Sequence, residues 1–268
     1  MSDEAPPTMK EYKPSWINDL LVALLFLTRI PLKINMNFSM AAVGSSARCF
    51  PLVGLVVGGI SGGAFFALNL LGLPVFVCAT IAVGLQILIT GALHEDAIGD
   101  VADGFGGGAT KDKKLEIMRD SRVGTYAVVT LIIAIVLKIT SIGSMYPEVM
   151  ALPAIISAAV ASRGVVAWGM YLMPSARKDG LGASAGKPPL MSVVAALIFT
   201  LVIPVALMGP FAASAALLGS FVSAGLMGWI AHRQIGGQTG DVLGSLQQVS
   251  EITFLVIAAG LFSAGFSA

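Results

Sequence analysis

Two stretches of 45 residues, 49–93 and 188–232, contain no Asp, Glu, Lys or Arg. Each is broken once, by Gly72-Leu73-Pro74 in the first and Gly209-Pro210 in the second. About 20 mostly apolar residues take a helix across a bilayer, so each stretch predicts a helical hairpin. The first puts spans at 50–71 and 75–93. Residues 123–145 and 149–173 form a third pair around Tyr146-Pro147-Glu148, and 252–266 give a short last span. Only 12% of the chain is charged, against about 25% in soluble proteins. The expected fold class is all-α: a polytopic membrane helix bundle of about seven spans.

The amino-terminal stretch 16–32 differs. Its apolar core runs only from Leu20 to Leu27, between Asp19 and Arg29, which predicts a re-entrant or interfacial helix, with a full span as the alternative. Residues 1–15 are polar, contain three prolines and read as a disordered arm, not a cleavable signal. The rest, 16–268, reads as one integral membrane domain. Gly54, Gly58 and Gly62 recur every fourth residue, with Gly59 and Gly63 one register over. Such spacing suits close helix packing in lipid.

The turns near 72–74, 146–148 and 209–210 carry no Lys or Arg, whereas 94–122, 174–189 and 232–250 hold Lys111, Lys113, Lys114, Arg119, Arg122, Arg177, Lys178, Lys187 and Arg233. The excess of basic residues marks that side as cytoplasmic. Net charge is +1, which excludes an ordinary basic nucleic-acid binder. Cys49 and Cys78 have no CxxC or Cys/His pattern, so neither a disulfide scaffold nor a cysteine zinc site is expected.

Twelve of the 31 charged residues fall in the 29 residues from His94 to Arg122. If the preceding span continues as a helix, Asp96, Asp100 and Asp103 share one narrow sector of its surface. No basic residue lies between them, so the face calls for hydration or a cation. All-oxygen ligation by Asp suits Mg²⁺, completed by water and phosphate oxygens. The glycines at 104 and 106–108 end the helix, and Thr110 can cap a second one. On it Glu116 and Asp120, four apart, share a face bordered by Arg119 and Arg122 as phosphate partners. His94 adjoins the carboxylates, either as an interfacial polar residue or with a direct role. Lys138 and Arg163 lie inside predicted spans. Lys138 reads as structural, while Arg163 either pairs between helices or lines a cavity reaching a phosphate.

These residues resemble a known family. Gly91-Ala92-Leu93-His94-Glu95-Asp96, Asp100 and Asp103-Gly104, followed by Leu115-Glu116-Ile117-Met118-Arg119-Asp120-Ser121-Arg122-Val123-Gly124-Thr125-Tyr126, are similar to the signature of the cobalamin synthase family, the adenosylcobinamide-GDP ribazoletransferases. Phe26-Leu27-Thr28-Arg29-Ile30-Pro31 with Phe50-Pro51-Leu52-Val53-Gly54 matches that family's first block. Gly236-Gly237-Gln238-Thr239-Gly240-Asp241-Val242-Leu243-Gly244 matches its last. Ala97, Gly99 and Glu95 depart from the usual pattern; Glu95 adds a carboxylate that is either a ligand or an interfacial charge.

The resemblance implies a Mg²⁺-dependent enzyme of the bacterial inner membrane. It would join adenosylcobinamide-GDP to α-ribazole or its 5′-phosphate and release GMP. Diphosphate charge must be neutralised and a ribose hydroxyl aligned and deprotonated. On this view Asp96, Asp100 and Asp103, with Glu95 as a further ligand, hold Mg²⁺. Arg119, Arg122, Lys114 and His94 contact substrate, and Thr239 and Asp241 of a flexible GGQTGD segment bind the guanosine portion of the substrate or a second metal. Asp120, or else Glu116, is the base. A homo-oligomer stays open. Two rival classes are a lipid-directed CDP-alcohol phosphotransferase, suggested by the D-x-x-D-G element at Asp100–Gly104, and a corrinoid transporter.

Overall fold

The computed structural model describes residues 10–33, 36–37, 39–145 and 147–264. The charge-free stretches form the expected antiparallel pairs: α3 (Phe50–Leu70) with α4 (Val75–Thr90), and α10 (Leu190–Met208) with α11 (Pro210–Ile235). Between them lie α5 (Leu93–Gly107), the short α6 (Lys111–Ile117), α7 (Thr125–Gly143), α8 (Ala151–Leu172) and the single turn α9 (Leu181–Ala185). The chain begins with α1 (Trp16–Leu27) and α2 (Met40–Ser45) and ends with α12 (Gly240–Ser263). Among the described residues strand pairing is limited to a parallel pair, Lys10–Glu11 with Met36–Asn37, and one isolated bridge between Ser175 and Gln238. Among the described residues six helical segments are long and apolar enough to cross a membrane, and α4 with α5 makes a seventh if taken as one broken span. The all-α membrane bundle expected from the sequence is therefore what forms.

The helix over 75–93 does not run on through the carboxylates. It ends at Thr90, and α5 leaves at 88° to it. Gly91 and Ala92 both adopt the left-handed conformation, at φ 65° and 57°. The N–H groups of Gly91 and Ala92 donate back to the carbonyls of Leu88 (3.2 Å) and Ile87 (2.8 Å), a Schellman-type end. For alanine that backbone costs about 1 kcal/mol, so the bend is imposed by packing. Because α5 restarts as its own helix, Asp96, Asp100 and Asp103 still share a face.

The last helix is longer than expected. It starts at Gly240, not near 252, and runs 24 residues. Ser245, Gln247, Gln248, Ser250 and Glu251 are all buried: they face other helices instead of water, which is why hydropathy alone places the boundary too late. The Tyr146 turn residue, the tip of the last span at 265–266 and the arm over 1–9 lie outside the described residues. Later in that arm, the Tyr12 hydroxyl donates to Asp19 Oδ1 at 2.5 Å, and Ser15 caps α1 by accepting from the Asn18 N–H at 3.1 Å. Asp19, 1% exposed, also pairs with Arg48 Nε at 2.6 Å, which ties the 12-residue α1 to the head of α3.

α8 is the hub, and its alanines let neighbours come close. Gly54 abuts the Ala159 carbonyl, Gly58 lies against Ile156 and Gly62 against Leu152, whereas nothing approaches Gly59 or Gly63. Of the two glycine registers, only the first forms the helix interface. A Cβ at Gly54 has nowhere to go without separating α3 from α8. Gly54→Val is expected to destabilise the protein by about 3 kcal/mol through overpacking, read as a lowered melting temperature in detergent. Gly59→Val, on the open register, is expected to leave it within error.

Candidate active site

The charged connections gather at one end of the bundle. Residues 236–239 are clamped there: the Gln238 N–H donates to the Pro174 carbonyl and the Ala176 N–H to the Gln238 carbonyl, both at 2.8 Å. Gly237 presses on the Pro174 carbonyl with no room for a side chain. This segment, expected to be flexible, is thus fixed. Thr239, expected to contact substrate, is 2% exposed and caps α12, accepting from the Val242 N–H and donating to Asp241 Oδ2, both at 3.2 Å.

The carboxylates of α5 meet the start of α12. Asp100 is half-buried and repelled by Asp96, Asp241 and Asp103, so four acids share one field. Arg177 Nη2 stands 3.5 Å from Asp241 Oδ2, and Arg119 lies within electrostatic reach of Asp241. Between α5 and α12 a cavity of about 160 Å³ opens, with His94, Asp96 and Asp241 on its wall and an otherwise apolar lining. Among the described residues no three His, Cys, Asp or Glu side chains converge closely enough to hold an ion by themselves.

Asp103 has a second task. Its two oxygens accept from the N–H groups of Gly124 (2.6 Å) and Ala127 (3.0 Å), capping α7 where the helix dipole favours negative charge. Asp103 therefore fastens α5 to α7. It also lines a groove with Asp120, Arg122 and Tyr126.

Other expected site residues point elsewhere. Glu116 and Asp120 do not share a helix face, because α6 stops at Ile117 and buried Met118 turns the chain inward. Glu116 is exposed and bound to Lys113 at 2.8 Å. Asp120 lies in the following turn, where hydrogen bonds from Arg122 hold its carboxyl down to about 2; a group so acidic is a weak base. Lys114 donates to Gln234 Oε1 at 2.6 Å, and Arg119 pairs with Asp179 at 2.7 Å. The sequence does not single out Arg177, Asp179 or Gln238 as site residues. Arg177 counted only toward the basic side, although its place in a glycine-containing polar connection was visible.

Glu95 turns away from Asp96, into the bundle. Its Oε1 accepts from Gln248 Nε2 at 2.8 Å and lies 3.6 Å from Lys138 Nζ. Lys138 is also 3.6 Å from Glu251 Oε1, and Arg163 Nη1 is 3.8 Å from Glu251 Oε2. Gln247 donates to Glu251 and, at 3.0 Å, to Ser162 Oγ. Glu95, expected as a ligand or an interfacial charge, and Arg163, expected to pair between helices or reach a phosphate, both lie in a buried cluster of two acids and two bases. Residues 95 and 96 differ by about 100° around a helix, enough to send one inward and the other to the cleft. Glu251 gave little signal in the sequence beyond being one acid beside an apolar run.

A family model described as cobalamin-5-phosphate synthase matches residues 19–259. The chain is similar to proteins named adenosylcobinamide-GDP ribazoletransferase. That of Bradyrhizobium diazoefficiens is 41% identical, covering 91% of this chain and 94% of its own. Those of Mesorhizobium japonicum (38%; 91% and 93%) and Azorhizobium caulinodans (39%; 89% and 94%) are comparable. No solved structure matches.

Removing one partner of a buried charge cluster strands the others, at a cost of about 3–5 kcal/mol. Lys138→Met is expected to lower stability by about that much in a detergent unfolding assay. Adding Glu95→Gln to it is expected to restore part of the loss, since the charges then balance again.

Proposed function

Because the chain belongs to the cobalamin-5-phosphate synthase family, we propose that its cleft joins adenosylcobinamide-GDP to α-ribazole or its 5′-phosphate. As a member of that family it is an enzyme, a transferase. A ribose hydroxyl attacks the diphosphate phosphorus on the cobinamide side. The bond from that phosphorus to the bridging oxygen breaks, and GMP departs with the oxygen. The observation that carries this reading is the acidic face of α5 set opposite Asp241, across a cavity with arginines at hand.

A Mg²⁺ ion fits this face. The donors are all carboxylate oxygens, and Asp100 is surrounded by three like charges. Mg²⁺ is commonly held by one or two carboxylates, with phosphate and water completing its shell, which agrees with a site where no three acids converge. Asp96 and Asp100 would hold it, and its charge would stabilise the diphosphate oxygens as the bond breaks. Arg177, 3.5 Å from Asp241, flanks the same space and orients the phosphates, while Arg119 adds its field from its pairing with Asp179. Asp241, on the cavity wall, takes the proton of the attacking hydroxyl, a role that the acidic Asp120 suits poorly. Asp103 keeps α5 and α7 in register. The excess of basic residues on the connections supports placing this end in the cytoplasm of a bacterial inner-membrane protein.

Purified protein in liposomes is expected to form the cobalamin product and GMP in equal amounts, and EDTA to stop both. Absence of GMP release with intact protein would refute the reading. Asp100→Asn is expected to lower kcat by at least about 100-fold, in the range of a lost electrostatic contact to the transition state. Asp103→Asn is expected to lower the melting temperature as well as the rate, because one oxygen of the α7 cap is lost.

A further inference from the structure

We infer that the apolar cavity beneath Asp96 and Asp241 seats the flat base of the incoming ribazole, and that Val166 and Met170 set which base is accepted. The inference rests on the reaction proposed above and locates one substrate within it. The cavity floor is made by Phe26 and Leu27 at the end of α1, Val166 and Met170 of α8, and Leu243 of α12. Its two acids, Asp96 and Asp241, belong to the cleft where the hydroxyl must react. A base held on this floor carries its ribose to the mouth, beside those carboxylates, as in-line attack requires.

Size and polarity choose among the ring systems of the two substrates. An apolar cavity of about 150 Å³ holds a single benzene dry. The 160 Å³ here, only partly enclosed, is on the scale of a small planar ring system and far below a corrin. Guanine would bring a full edge of donors and acceptors, each costing about 1–3 kcal/mol if buried without a partner. Among the polar side chains of the wall, only His94 is not an acid of the cleft. The benzimidazole of a ribazole has one ring nitrogen bound to the ribose and a single free one, for which one imidazole is partner enough. The remaining surface of a benzimidazole is apolar, like the floor.

Val166 is 6% exposed and lines the cavity, so a larger side chain there takes up cavity volume. In liposomes, Val166→Phe is expected to raise KM for α-ribazole at least tenfold while KM for adenosylcobinamide-GDP stays within twofold. Val166→Ile is expected to fall between. An unchanged ribazole KM, or an equal rise for both substrates, would overturn the inference. A measurement on the unaltered protein covers the case in which the variants fail to fold. Free 5,6-dimethylbenzimidazole is expected to inhibit competitively against ribazole and not against adenosylcobinamide-GDP. Competition with adenosylcobinamide-GDP, or no inhibition, would count against the cavity as the base site. Wild-type turnover is scored separately: no GMP release would overturn the reaction, whereas normal turnover with the wrong inhibition pattern overturns only the subsite.

Discussion

Two acids and two bases, Glu95, Lys138, Glu251 and Arg163, are buried together where α5, α7, α8 and α12 meet. Isolated charges in an apolar interior are costly, and each of these is tolerable only because the others neutralise it. Few rotations of α5 satisfy that condition. With Glu95 turned inward to Lys138, the face bearing Asp96 and Asp100 is turned to the cleft. At the other end of the same helix, Asp103 caps α7 through two backbone N–H groups, so α5 is fixed at both ends by charge.

The surrounding scaffold serves this placement. Close glycine contacts between α3 and α8 hold the hub. The left-handed pair at Gly91 and Ala92 releases α5 from the direction of α4. The clamp between Gln238 and the 174–176 strand-like bridge fixes the start of α12, and with it Asp241. Acid face, arginines and apolar floor then come from segments far apart in sequence, and only the packed bundle joins them.

Much of this was legible in the chain. The charge-free windows and their Gly/Pro breaks give the hairpins, because a span must be apolar and a turn must break the helix. The Asp spacing at 96, 100 and 103 gives the shared face wherever that helix begins. Other features were hidden for physical reasons. Gln247, Gln248 and Glu251 look solvated because hydropathy cannot distinguish a polar group facing water from one facing a buried partner. Glu95 reads like its neighbour Asp96 until the helix phase is known. Thr239 and Asp103 have side chains suited equally to ligands and to caps, and only the position of the backbone N–H groups shows that both serve as caps. Asp120 is adjacent to arginines as expected, but that proximity lowers its basicity.

On the proposed function, the buried charge cluster aims Asp96 and Asp100 at the reacting diphosphate, and that placement is open to direct observation. It is tested most directly by electron cryomicroscopy of the protein in nanodiscs with Mn²⁺ and adenosylcobinamide-GDP. The expected result is ion density against Asp96 and Asp100, with the diphosphate between them and Asp241 and with Glu95 still turned to Lys138. Ion density on the Glu116 and Asp120 side, or a cluster opened so that Glu95 reaches the ion, would contradict it.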